Sequence, residues 1–178
     1  MSLLDASGMS VVWEWHDGSY DRAQIQADAT GWSISGRHGD TRYLIGLDAE
    51  FACRTLEVSS GAQALTLNRT KAGWLSMDGV LVPHSAKCRD LDLGWTALTN
   101  TFPIRRLMAA NQPTATFEVL MIGLPHLDIR VVEQSYTRQE GGWLYQNNDS
   151  GYSTLLSVDK NGLVMDYPDL CSRKDLGR

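Results

Sequence analysis

Two adjacent arginines, Arg105 and Arg106, carry the strongest chemical signal in the chain. A guanidinium presents a planar fork of donors that matches a carboxylate or a phosphate through two parallel hydrogen bonds. The surrounding residues have helical spacing, and successive helical positions point about 100° apart, so the pair cannot readily share one carboxylate. If that helix is enclosed, at least one guanidinium enters the interior, where an unpaired charge costs several kcal/mol. Asp90, Asp92, Glu133 and Asp166 are the natural partners. Two roles stay open: a structural ion pair that fixes the helix, or an anion site for a lipid-headgroup phosphate or a sugar acid.

Thr99 and Asn100 stand where that helix begins, and side-chain oxygens there cap backbone N–H groups. Capping accounts for both. A sugar-hydroxyl contact is the functional alternative, and N–H groups at a helix start also receive anions. Gln134, Tyr136 and Tyr167 fall in strand-like runs, as core or cross-strand partners or as ligand contacts. Asp90 and Asp92 share one strand face, about 6.6 Å apart by rise per residue. That separation superficially fits a pair of glycosidase carboxylates, although the nearby arginines favour charge pairing. Trp13, Trp15, Trp32, Trp74, Trp95 and Trp143 read as core and interface, with two or three available to line an apolar cleft.

Catalysis finds little support. His16, His38, His84 and His126 lie in loop-like contexts and form no H-x-H or H-x-x-x-H pair. The chain holds no G-x-S-x-G elbow, P-loop or dinucleotide fingerprint. Cys53, Cys88 and Cys171 are widely spaced, odd in number and without a C-x-x-C pair, so they read as reduced thiols in a cytoplasmic protein. The expectation is a non-enzymatic protein with no cofactor and no metal. A net charge of −5, from 16 basic and 21 acidic residues, argues against a nucleic-acid groove and against docking on anionic lipid headgroups. The N-terminus lacks the features of a secretory signal, and its first residues read as frayed. The longest apolar run, Val119 to Leu124, is only a strand's length, so no membrane insertion by a helix is expected.

The elements that must position these residues are mostly strands. Turn signals recur at His16-Asp17-Gly18-Ser19, Gly39-Asp40, Ser60-Gly61, Asp78-Gly79, Glu140-Gly141-Gly142, Ser150-Gly151 and Asn161-Gly162. Between them, short segments such as Leu65-Thr66-Leu67-Asn68 and Ile129-Arg130-Val131 alternate with period two, the mark of an antiparallel sheet with one wet face. About a dozen or more strands are expected, and a twisted sheet that large must curl or split. One helix is predicted over about 100–110, with Pro103 in its first turn and Ile104, Leu107 and Met108 on one face. It either plugs the curled sheet or lies at its rim. At 178 residues without a linker, the chain reads as a single domain.

A longer constellation adds to this. The run Asp90-Leu-Asp92-Leu-Gly94 precedes Thr99-Asn100-Thr101-Phe-Pro103-Ile104-Arg105-Arg106-Leu107 and a Leu-Pro-x-Leu turn at Leu124–Leu127. Glu133-Gln134-x-Tyr136-x-Arg138 follows, then Val158-Asp159-x-x-Gly162-Leu163-Val164-x-Asp166-Tyr167-Pro168. In that order, across nearly half the chain, these elements resemble the bacterial family labelled putative glycolipid-binding proteins. The first half agrees loosely, through Trp13 and the strands around Tyr43 and Asp48, and Cys171 stands where an aromatic residue is expected. The resemblance implies an all-β spiral β-roll, one long curled antiparallel sheet around a single α-helix, with homodimers formed through the sheets. It also implies a glycolipid or other amphiphile held between sheet and helix, with Arg105, Arg106, Asn100, Asp92, Gln134, Tyr136 and Tyr167 as candidate ligand contacts. The rival readings are a dimeric interaction protein without a small ligand and a hydrolase acting on a glycoconjugate.

Overall fold

The computed structural model describes residues 8–174; the fraying expected of the first residues lies outside that range. Fourteen strands follow the turn signals: β1 (Met9–Trp15), β2 (Tyr20–Asp28), β3 (Gly31–His38), β4 (Thr41–Asp48), β5 (Cys53–Ser60), β6 (Gln63–Thr70), β7 (Gly73–Ser76), β8 (Asp90–Leu93), β9 (Thr114–Gly123), β10 (Asp128–Gln139), β11 (Gly142–Asn147), β12 (Tyr152–Val158), β13 (Val164–Tyr167) and β14 (Cys171–Lys174). One α-helix, α1 (Thr101–Ala109), falls between β8 and β9. Hydrogen bonds join all the strands in one sheet, in the order β7-β6-β5-β4-β3-β2-β1-β14-β13-β12-β11-β10-β9-β8. Two meanders thus run outward from a seam at which β1 pairs with β14. The sheet curls into an all-β spiral roll. Its two edges are drawn together by the connection from β7 to β8. There Trp74 Nε1 donates to Cys88 O and the Cys53 backbone N–H donates to Arg89 O, each at 2.9 Å.

One pairing departs from the antiparallel sheet that alternation predicts. β8 lies parallel to β9, with Asp90 opposite Val119 and Leu93 opposite Ile122. Parallel neighbours need a crossover of a dozen or more residues, and the segment 94–113, which contains α1, supplies it.

Alternation places the core. Along β2, Asp21, Ala23 and Ile25 are buried while Arg22 and Gln24 are exposed; along β4, Thr41, Tyr43, Ile45 and Leu47 are buried. The helix plugs the roll and does not lie at its rim: Phe102, Ile104 and Leu107 belong to the same buried cluster as Ile34, Leu56 and Leu120. Its end agrees with the predicted range, and Asn111 just beyond it takes a left-handed conformation at φ 49°. Gln112 N–H then bonds Leu107 O and Asn111 N–H bonds Met108 O, satisfying carbonyls the helix leaves free. Its start differs from expectation. Asn100 is itself helical and makes no capping bond, because Leu98–Asn100 already form a 3-10 turn that leads into α1.

All three cysteines are buried and unpaired, and burial pushes each thiol up, Cys88 to about 11 and Cys171 to about 12. Thiols held protonated in this way are poor nucleophiles.

Asp21 is a charge-bearing group in an otherwise apolar stretch of core, and it is fully buried. Tyr43 OH donates to one of its oxygens at 2.9 Å and Thr96 Oγ1 donates to the other. Tyr43 can reach it only because position 36 is glycine: a Cβ there would lie 2.0 Å from the Tyr43 ring. Burial pushes the Asp21 carboxyl up to about 6, against the opposing pull of the two hydroxyl donors. The folded value lies above the unfolded one near 3.9, so the fold holds this proton more tightly. The stabilisation is complete below about pH 4 and is lost as pH rises through about 6, a change of about 3 kcal/mol. Urea unfolding at pH 4 and pH 7 should show this fall, and Asp21→Asn, which keeps one acceptor oxygen and does not titrate, should remove it.

Candidate functional site

A cleft of about 230 Å³ opens at the end of the roll, between the segment joining β8 to α1 and the strands β11 to β13. Asp92, Thr96 and Asn100 line one side; Tyr145, Asn147, Tyr152 and Tyr167 line the other, with Trp15, Met121 and Leu170 closing the ends. Pairing between β10 and β11 sets the second wall. Gln134 stands opposite Asn147 and Tyr136 opposite Tyr145, so all four point to the inward face. Behind the wall runs a chain of hydrogen bonds. Asn100 Nδ2 donates to Tyr136 OH at 3.0 Å, Tyr136 OH donates to Gln134 Oε1 at 3.2 Å, and Gln134 Nε2 donates to Asp92 Oδ2 at 2.6 Å.

Burial raises the Asp92 carboxyl, while the Gln134 bond and the Thr99 and Tyr145 hydroxyls beside it pull the other way. Burial also pushes Tyr145 and Tyr167 well up, so both phenols stay protonated and act as donors. Tyr145 is the hub of an aromatic cluster, with ring centres 5.4 Å from Tyr136 and 6.2 Å from both Tyr152 and Tyr167. The buried Nε1 of Trp15 has no acceptor among the described residues. The cleft therefore offers one carboxylate, two side-chain amides, several phenols and flat aromatic faces. That mixture suits a neutral, hydroxyl-rich ring better than an anion.

Five of the seven predicted contacts meet here: Asp92, Asn100 and Tyr167 on the surface of the cleft, Gln134 and Tyr136 directly behind it. Asn100, whose type suggests a cap, spends its amide on Tyr136 instead. Arg105 and Arg106 are not among its lining residues. Arg106 makes a bidentate pair with Asp90, through Nη1 to Oδ1 at 2.8 Å and Nη2 to Oδ2, and Nη1 also donates to Phe51 O at 3.0 Å. The structural ion pair is thus realised at this residue. Arg105 pairs with none of the acids proposed for it. Its guanidinium stacks 3.9 Å from the centre of the Phe51 ring, and Nη1 donates to Asn161 O at 3.3 Å.

Asp90 and Asp92 do share the inward face of β8, but Asp90 is consumed by Arg106 and only Asp92 lines the cleft. A two-carboxylate hydrolytic site is not assembled there. Among the described residues no three His, Cys, Asp or Glu side chains cluster as a metal site requires.

Tyr145, Asn147 and Tyr152 were not predicted as contacts. The signal existed: a two-residue turn at Glu140-Gly141 fixes the β10–β11 register and puts Tyr145 across from Tyr136.

The match to known proteins agrees with this architecture. The family model described as "Putative glycolipid-binding" matches residues 10–173. The chain belongs to this family. Among solved structures, a DUF1089 family protein from Pseudomonas aeruginosa is similar over 94% of each chain, with 31% identity and a TM-score of 0.65. No curated protein matches the chain.

The arginine geometry makes a direct prediction. Arg106→Ala leaves the Asp90 carboxylate buried and unpaired and should cost about 3–5 kcal/mol. Arg105→Ala loses a desolvated cation–π stack and should cost about 2 kcal/mol. Urea denaturation of the two single variants measures both, and equal small effects would contradict the assignment of the pair to Arg106.

Proposed function

We propose that this protein binds the sugar headgroup of a glycolipid in the cleft between Asp92 and Tyr145, and performs no chemistry on it. The observation that carries the reading is the composition of that cleft: one carboxylate facing tyrosine and tryptophan rings, with amides behind them. A carboxylate accepts hydrogen bonds from sugar hydroxyls, asparagine and tyrosine donate to ring and hydroxyl oxygens, and aromatic faces cover the apolar faces of a sugar ring. At about 230 Å³ the cleft is smaller than the roughly 300–1,000 Å³ pockets of drug-sized ligands, so it fits a single end sugar. Family membership supports the ligand class.

The seat differs from one between sheet and helix. Phe102 and Ile104 are fully buried in a packed core, and such interiors leave no lumen for an acyl chain. The chain of the lipid would leave past Met121, Leu170 and the exposed edge of Tyr152. Without the cleft, that filled interior would favour an interaction protein with no small ligand. The same reading retains the cytoplasmic setting and the sheet-mediated homodimer as proposals. Among the described residues no helix is long and apolar enough to cross a membrane.

Octyl glucoside and octyl galactoside, titrated below their micelle concentrations, are suitable probes, with the Trp15 indole resonance as readout. Saturable binding of at least one is expected. Asp92→Ala should weaken it at least tenfold, as expected for hydrogen bonds to a charged group. Tyr152→Ala, at an exposed position, should weaken it about fivefold. Equal binding of octanol or octyl phosphocholine would show that the cleft does not recognise the sugar.

A further inference from the structure

The outward face of β2, β3 and β4 holds a charge arrangement that the cleft does not use. Arg22 stands directly opposite Arg37, and Arg37 directly opposite Arg42. Directly paired residues project to the same face, and all three are exposed. With strands about 4.8 Å apart, the three guanidiniums form a row roughly 10 Å long. Like charges placed opposite one another destabilise a sheet. Among the described residues, none of the three forms a salt bridge. Arg37 Nε donates to Gly39 O at 2.7 Å, and Arg22 lies 5.5 Å from the centre of the Tyr20 ring. The row continues through Val12 to Lys174, whose ammonium is paired with Glu14.

Two further features share this face. A groove of about 480 Å³ runs beside the row, lined by Ser10, Val12, Arg22, Gln24, Ser35 and Arg37. Tyr20 and Leu44 flank the arginines, two positions from Arg22 and from Arg42, and are 41% and 43% exposed. The net charge of −5 sums the whole surface, whereas at contact range the field is set by charges within a screening length of about 8 Å. On this face the three arginines outnumber the exposed Glu57 opposite Leu44, and Glu14 is paired with Lys174.

We propose that the Arg22–Arg37–Arg42 row is a docking surface for an anionic phospholipid bilayer. Charge complementarity selects this occupant. Three guanidiniums on a sheet face meet a planar array of phosphates, for which their forked donors are suited, and the mutual repulsion of the row is relieved on contact. Tyr20 and Leu44 would lie at the headgroup level, as amphipathic side chains do in peripheral binding without insertion. A second copy offering the same face would instead set arginine against arginine. The proposal stands apart from the sugar-binding reading, because it uses none of the cleft residues.

Flotation of the full chain with vesicles tests it, using phosphatidylcholine alone and equal parts of phosphatidylcholine and phosphatidylserine, both free of glycolipid. Binding to the mixed vesicles only, and its loss at high salt, are expected. The variant Arg22→Gln/Arg37→Gln/Arg42→Gln should bind about fivefold more weakly per arginine, roughly a hundredfold in all. Its thermal unfolding should be unchanged or shifted upward, since repulsion is removed. Asp92→Ala should bind these vesicles like the wild type, which separates failure here from failure of the cleft. Absence of binding to mixed vesicles, equal binding to phosphatidylcholine alone, or an unaltered triple variant would overturn the proposal. So would inorganic phosphate titrating the row without vesicle binding, or a triple variant that only changes the oligomeric state.

Discussion

One buried ion pair fastens the closing of the sheet around its helix. Asp90 opens the edge strand β8, Arg106 sits on the interior helix, and the same guanidinium reaches Phe51 O in the connection from β4 to β5. Edge strand, helix and the opposite half of the sheet are thereby fastened at one node. Desolvating two ions is expensive, and only a bidentate geometry with further acceptors offsets it. Both arginines are accordingly spent on structure: one on Asp90, the other on the Phe51 ring and Asn161.

That closure decides where a ligand can go. A helix seated in the roll fills the space a carrier would give to acyl chains, because Phe102, Ile104 and Leu107 are packed into one continuous core. A cleft is left at the end, where the segment from Gly94 to Asn100 faces β11 and β12. The groups facing that space carry hydroxyls, amides and a single carboxylate, so its chemistry is that of hydrogen-bonding a polar ring and not of neutralising a phosphate. Basic groups collect instead on the outward face, along the row from Lys174 through Arg22 to Arg42.

Much of this was legible in the residues. Gly-containing turns and period-two alternation marked the strands, and the spacing of Ile104, Leu107 and Met108 marked the helix. Asp92 and the four predicted residues around it were visible by type, since amides, tyrosines and an acid need partners. What was not legible depends on long-range placement. The parallel β8–β9 pair arises from a crossover, which alternation cannot show. Asn100 was read as a cap because its local context allows one, yet Tyr136, 36 positions away, competes for its amide and wins. Both an ion pair and an anion site stayed open for the arginines because nothing local says which acid lies across the roll.

Half of the buried polar side chains among the described residues collect at one end of the interior. Asp21, Thr96, Thr99, Asn100, Gln134 and Asn147 are all buried, and all lie at or next to the cleft end. The segment forming one wall hangs on them: Thr96 Oγ1 donates to Asp21 while accepting the Leu98 N–H, and Trp95 O faces His38 Nδ1 at 2.8 Å. A carbonyl accepts only, so His38 Nδ1 must carry its hydrogen, and the wall is fixed by donors whose directions are determined. Apolar residues of the same volume would pack this end at lower cost, because every buried polar group must be matched or forfeits free energy. Departures from the apolar rule collect at sites and not at random in a core. The matched network therefore stiffens one wall of the cleft beside Asp92, and for the sugar proposed above such a preformed wall lowers the ordering cost of binding.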